Sequence, residues 1–119
     1  AGPHLPGGPL QCSPVEGVAG EFYPDPSDVA LLARYGRVSD AGSFAWTRRP
    51  AREEGLLVGG SSGMADVAAL RTARELPADA VVVVVLPDHE RGYLTKLYDD
   101  AWLQARGIPL DSLTEGASA

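Results

Sequence analysis

Two hydroxyls set among glycines, Ser61 and Ser62 in Gly55-Leu-Leu-Val-Gly-Gly-Ser-Ser-Gly63, are the residues best placed to do chemistry. A short apolar run ends in this cluster and opens into the Ala-rich pattern Met64-Ala-Asp-Val-Ala-Ala-Leu-Arg71, so the spacing predicts a strand, a tight loop and a helix N-terminus. The first N–H groups of a helix have no partner inside it, and the macrodipole adds partial positive charge. A polar or anionic ligand group is therefore favoured beside these serines. A plain β-to-α turn that binds nothing uses the same residues, and both readings stand at this point.

Elsewhere the reactive residues are sparse. Cys12 is the single cysteine; it cannot form an internal disulfide, has no metal-ligand spacing around it, and reads as a small buried apolar residue in a reducing compartment. No zinc or haem pattern is present. Arg48, Arg49 and Arg52 are the densest basic group, but Glu53 and Glu54 follow them, which predicts a solvated, mixed-charge helix face. With 119 residues and a net charge of -6, the chain is expected to form one small domain, and it lacks the basic footprint that a phosphate backbone requires. The longest apolar run, Ala80 to Leu86, is too short to span a bilayer, and no signal-peptide pattern opens the chain. A soluble, cytoplasmic protein with neither nucleic-acid nor membrane partners is expected.

The elements that must position the serines follow from periodicity and breakers. Ala1 to Pro14 is dense in Gly and Pro and reads as a loop or tail. A helical turn is expected within Ser27 to Tyr35, a brief strand at Arg37 to Asp40, and a helix from Ser43 to a closing Gly55, kinked or restarted at Pro50. Ala65, Ala68, Ala69, Thr72, Ala73 and Leu76 form a stripe suited to packing on a sheet, with Arg71 and Glu75 paired in solvent, and Pro77-Ala78-Asp79 ends that helix. The valine run before Pro87 lacks polar alternation, as does a parallel strand covered on both faces. A final helix is expected from Gly92 to Gly107, with Tyr93, Leu94, Leu97, Tyr98 and Trp102 turned inward. Strand, helix, strand, helix predicts an α/β fold, a piece of a three-layer sandwich with a mainly parallel sheet. So small a sheet expects further strands beside it.

In order and spacing, VEGVAGEFYP, RVSD, REEGLLVGGSSGMADVAALRTAREL and VVVVLPDHERGYLTKLYDDAW resemble the end of the catalytic core of the cystathionine β-synthase family, pyridoxal-phosphate enzymes of fold type II. The likeness runs from Gly8 to Gly107, and its ending is more similar to cystathionine β-synthase than to the related cysteine synthases. The resemblance implies a division into a tail at 1–14, the C-terminal segment of the cofactor-binding core at 15–107 and a polar tail at 108–119. It implies pyridoxal phosphate as cofactor, serine and homocysteine as substrates, and a homodimer as the full enzyme. The reaction it implies replaces the serine hydroxyl, lost as water, with the homocysteine sulfur. Ser61 matches the family's serine at the pyridine nitrogen, Gly17 its glycine loop on the cofactor and substrate side, and Pro87 with Asp88 its strand end near the ring. A hydroxyl is a neutral partner for that nitrogen, which moderates the electron sink and favours elimination and replacement.

The same resemblance carries departures. The family's Schiff-base lysine and phosphate loop lie upstream of the matched region, and the one lysine here, Lys96, matches neither role. The chain is therefore expected to be inactive alone, as a fragment, a truncated frame or one part of a split enzyme. Ala19 replaces a glycine, Pro50 interrupts a helix, Asp66 takes an apolar position, and His89-Glu90 replaces small residues, His89 being expected at the surface. Competing expectations are a cysteine synthase fragment using an activated serine with sulfide, and a non-catalytic module that docks through its last helix. A nucleotide-binding turn is disfavoured, because Gly59 to Gly63 is not a GxGxxG.

Overall fold

The computed structural model describes residues 15, 29–31, 33, 34 and 36–109. Gly17, Cys12, Ala19 and Ser27 lie outside the described residues, as do the breaker-rich start and positions 110–119; Val29–Leu31 is a single 3-10 turn.

Helix α1 spans Asp40–Glu53 and begins three residues earlier than the apolar pattern predicts. Ser39 explains the difference. Its backbone is extended and its Oγ accepts from the Gly42 N–H at 3.1 Å, so the segment expected as a brief strand serves as the helix cap. Residues Gly42 to Thr47 are buried, led by Phe44 and Trp46. Pro50 sits inside the helix without splitting it into two. It removes one donor to the Trp46 carbonyl, but the preceding turn and a half is already anchored in the core, and proline's fixed φ is itself helical. Gly55 closes the element as expected: its φ of 71° is left-handed, and the Leu56 N–H returns to the Pro50 carbonyl at 3.1 Å.

Helix α2 spans Gly60–Ala73, so Ser61, Ser62 and Gly63, expected in a loop, form its first turn. The face it buries is Gly60, Ser62, Gly63 and Val67, not the predicted alanine stripe; Ala68 is exposed and the remaining alanines are half-buried. The reason lies at Gly63, where a Cβ would overlap the Ser43 carbonyl and the Thr47 hydroxyl. Only a hydrogen atom there lets α1 and α2 approach so closely, and that contact decides which side of α2 turns inward. Arg71 and Glu75 do not pair with each other: Arg71 donates to the Arg37 carbonyl at 2.8 Å, and Glu75 accepts from Arg34 at 2.7 Å. The helix stops at Ala73, ahead of Pro77.

The expected final helix is mostly turns. Glu90–Gly92 is a 3-10 turn, and α3 covers only Asp100–Gln104, where Asp99 Oδ1 accepts from Ala101 and Trp102 and starts the helix late. Gly107, left-handed at φ 68°, ends this region, and the Ile108 N–H closes on Leu103 at 3.1 Å. Leu97, Leu103 and Ile108 are buried with Val15, Val38, Phe44, Trp46 and Val67 in one core, against which Tyr93, Tyr98 and Trp102 pack; Leu94 is exposed. Phe44 and Trp102 meet edge to face, centroids 6.3 Å apart.

Among the described residues no sheet forms. The valine run is extended but unpaired, with Val81, Val83 and Val85 exposed by 88%, 86% and 75%, and the pairing observed is one antiparallel bridge between Val58 and His89. The apolar composition that predicts a covered parallel strand thus stands without its covering layers.

Candidate functional site

The bridge brings the end of the valine run to the start of α2, where polar side chains of the two segments meet. Val58 is held on its other side by Tyr98, whose hydroxyl donates to the Val58 carbonyl at 2.8 Å and accepts from the Val58 N–H at 3.1 Å. Burial pushes the Tyr98 phenol up from its ordinary value, partly countered by the hydrogen bond to the Val58 backbone. A side chain here supplies what a neighbouring strand supplies in a sheet. The Gly59 N–H reaches the Asp88 carbonyl at 3.4 Å.

Gly59 is the extended N-cap residue of α2 and has no side chain with which to cap it. The Asp88 carboxylate lies against Gly59, where a Cβ would overlap it. Three hydroxyls surround this carboxylate. Tyr93 donates to Oδ2 at 2.6 Å, Ser62 to Oδ1 at 3.0 Å, and the Ser61 Oγ lies 3.4 Å from Oδ1. A negative group beside the first turn of a helix also suits the dipole. Ser62 is fully buried, while Ser61 is half-buried and Pro87 is exposed.

Of the residues expected at a site, Ser61 and the Pro87-Asp88 pair are brought to one place, and Gly17 lies outside the described residues. Tyr93, which the sequence presents only as an inward residue of the last helix, joins them with Ser62. Tyr93 stands five residues after Asp88, a spacing that closes only because Glu90–Gly92 is a 3-10 turn, so no helical or strand period reveals it. His89 is exposed as expected, and its Nδ1 accepts from the Arg91 N–H at 3.2 Å, capping that turn. The basic trio is less uniform than a solvated face. Arg49 pairs with Glu53 and stacks over Trp46, whereas Arg48 is largely covered, its Nε donating to the Leu97 carbonyl and its Nη1 to Asp100, each at 2.6 Å. Among the described residues no group of His, Cys, Asp and Glu is placed to hold a metal ion, and no helix is long and apolar enough to cross a membrane.

A family model described as pyridoxal-phosphate dependent enzyme matches residues 7–88. The chain belongs to that family. Among curated relatives, the cystathionine β-synthase of Mus musculus is 39% identical over 100 residues, 84% of this chain and 18% of its own length. That of Saccharomyces cerevisiae is 39% identical over 97 residues, 79% of this chain and 19% of its own. A cysteine synthase of Helicobacter pylori is 40% identical over 82 residues, 69% of this chain and 27% of its own. A solved structure of an O-acetylserine-dependent cystathionine β-synthase from Helicobacter pylori superposes with a TM-score of 0.68 at 38% identity, covering 80% of this chain and 32% of that one. The chain thus spans about a fifth of the length of the mouse and yeast relatives it matches. The family's description names pyridoxal phosphate as its cofactor, and the matched region ends at Asp88, the centre of the hydroxyl cluster.

Proposed function

We infer that this chain is the C-terminal segment, residues 15–107, of the catalytic core of a cytoplasmic β-replacement enzyme of the cystathionine β-synthase kind, acting in transsulfuration to make cysteine. The whole enzyme would be a homodimer acting on serine and homocysteine, with no nucleic-acid or membrane partner. The observation that carries the reading is the Ser61 hydroxyl, half-buried in the first turn of α2 and only loosely engaged by Asp88, at the position where family likeness puts the ring-nitrogen contact. In the whole protein the valine run would be a covered strand of a mainly parallel sheet, and the alanine stripe of α2 would face that sheet.

The residues present fit the ring end of pyridoxal phosphate. When bound, the cofactor supplies the electron sink that lets serine lose its hydroxyl and accept a thiol at the same carbon. Ser61 would donate a hydrogen bond to the pyridine nitrogen while keeping its proton and, being neutral, would leave that nitrogen without a full positive charge. Pro87 offers an apolar edge beside it, and Gly17 is proposed to line the opposite side. Lys96, the one lysine, follows Tyr93 in the turns before α3 and is not assigned the covalent role.

A second reading, sulfide addition to an activated serine, is supported by the likeness to the Helicobacter pylori cysteine synthase, whereas the O-acetylserine-dependent cystathionine β-synthase of the same organism supports an activated serine only. Comparing homocysteine with sulfide as the thiol acceptor of the complete enzyme that contains this segment separates the two. In that enzyme Ser61→Asp is expected to lower β-replacement by roughly a hundredfold or more, because an ionised partner holds a proton on the pyridine nitrogen; unchanged turnover would show that Ser61 only begins the helix. The 119-residue chain itself, mixed with about one equivalent of pyridoxal phosphate, should show no saturable internal-aldimine absorbance band beyond that of a free lysine.

A further inference from the structure

The carboxylate of Asp88 has more hydroxyls around it than it holds tightly, and the distances rank them. Hydroxyl donors to a carboxylate sit at about 2.5–2.7 Å when the bond is charge-assisted, and ordinary O–H···O bonds extend to about 3.0 Å. Tyr93 at 2.6 Å lies in the first range, Ser62 at 3.0 Å at the edge of the second, and Ser61 at 3.4 Å beyond both. Ser62 has one proton to give, and its alternative acceptor, the Asp88 carbonyl, is farther away at 3.4 Å. Burial reinforces the ranking, since Ser62 is fully enclosed and must spend its proton internally, whereas Ser61 is half-buried.

We propose that Asp88 is a positioning residue that commits the hydroxyls of Ser62 and Tyr93 to its carboxylate, so that Ser61 alone keeps a proton to donate to an incoming acceptor. The proposal rests on the cofactor reading of Ser61 for the identity of that acceptor, the pyridine nitrogen, but the division of the three hydroxyls is a property of this chain's own residues. Two adjacent serines would otherwise be interchangeable donors at the start of α2. Asp88 removes the degeneracy: it fills the notch above Gly59, draws the Pro87-Asp88 turn onto the helix, and satisfies itself with the two donors that point inward.

Isotope-labelled 119-residue chain tests this without activity. Three-bond couplings about χ1 should report one fixed rotamer for Ser62 and an averaged one for Ser61. In Asp88→Asn the Ser62 coupling should average as well, and the Gly59 amide, which donates to the Asp88 carbonyl, should exchange roughly tenfold faster as the segment loosens from the helix. Ser61→Ala should change that exchange less than about twofold. A fixed Ser61 beside an averaged Ser62, or a Ser61→Ala effect as large as that of Asp88→Asn, would overturn the proposal. Pyridoxal phosphate is then added as the probe at millimolar concentration. A Ser61 coupling that becomes fixed while Ser62 stays unchanged supports the full assignment. A Ser61 that is averaged and indifferent to the probe leaves the division of hydroxyls standing and removes the cofactor reading of Ser61.

Discussion

At the scale of single residues, close approach and charge each make a separate claim. Gly63 has the Ser43 carbonyl and the Thr47 hydroxyl where a Cβ would be. Alanine there gains up to about 1 kcal/mol in helix propensity, but it must displace backbone on a neighbouring buried helix, an overpacking cost of about 1–3 kcal/mol, so Gly63→Ala should lower the urea midpoint. A midpoint equal to or above the wild type would show that α1 and α2 have room to separate. Charge acts through Asp66 and Glu75 with opposite signs. Burial holds the Asp66 carboxyl above its ordinary value, with Arg49 pulling the other way. The raised acid contributes stability that is complete below its unfolded value and is lost as pH rises through the folded one. Asp66→Asn should therefore flatten the fall in stability between mildly acidic and neutral pH and leave the most acidic end unchanged. Glu75 is held below its ordinary value by its hydrogen bond to Arg34 and by that cation's charge, so its contribution is present at neutral pH and lost on acidification. The pair is exposed, so its effect should be small and should fade with salt. Ser61 was legible in the sequence because hydroxyls after paired glycines announce a helix start. The ring of donors around Asp88 was not, because it joins residues 26 and 5 positions apart through a bridge and a 3-10 turn that no periodicity encodes.

Among the elements, α1 shows where local signals prevailed and where they did not. Ser39, Gly55 and Gly107 mark their boundaries through chemistry that acts within a few residues, and two of these three were readable from the sequence alone. Pro50 predicts a kink or restart because its local penalty is large. The helix continues because burial of Phe44, Ala45, Trp46 and Thr47 in the preceding turns outweighs one missing bond. Pro50→Ala restores a donor to the Trp46 carbonyl and removes the ring clash, against a loss of under about 1 kcal/mol from the freer unfolded chain. Thermal unfolding should show a gain of about 1–3 kcal/mol. No gain would mean that the ring already fits the helix without strain. The inward face of α2 was misread for a different reason. Its alanines are the pattern of a helix that packs on a sheet, whereas the neighbour met by the described residues is α1, and the glycine and serine side fits α1 more closely.

For the molecule as a whole, composition and exposure disagree in one place, and the disagreement has a physical consequence. Val81, Val83 and Val85 project apolar side chains into solvent from an extended segment whose backbone forms no ladder, in a chain that spans about a fifth of the mouse and yeast relatives it matches. An unpaired, uncharged run of β-branched residues is a template for strand addition. The covered strand proposed for the whole enzyme would be stabilised by that same apolar character, whereas in this chain alone it favours association with further copies. The net charge of -6 opposes association but is distributed away from the run, since Ala80 to Leu86 contains no ionisable residue. The 119-residue chain is therefore expected to form β-rich oligomers with a concentration-dependent lag, visible by thioflavin fluorescence and light scattering. Val83→Lys combined with Val85→Lys should suppress this. Both side chains already face solvent and neither belongs to the core, so the far-ultraviolet helical signal should stay unchanged. Continued assembly by the double variant would locate the sticky surface elsewhere, with exposed Leu56, Leu57 and Leu94 next in order. If helix content fell instead, the run would be shown to pack against the helices in solution. In the complete enzyme the same two lysines should have the opposite consequence and prevent folding, because a buried ammonium without a partner costs several kcal/mol. A substitution that rescues the segment and ruins the whole would mark residues 80–86 as a strand whose neighbours come from outside the segment described.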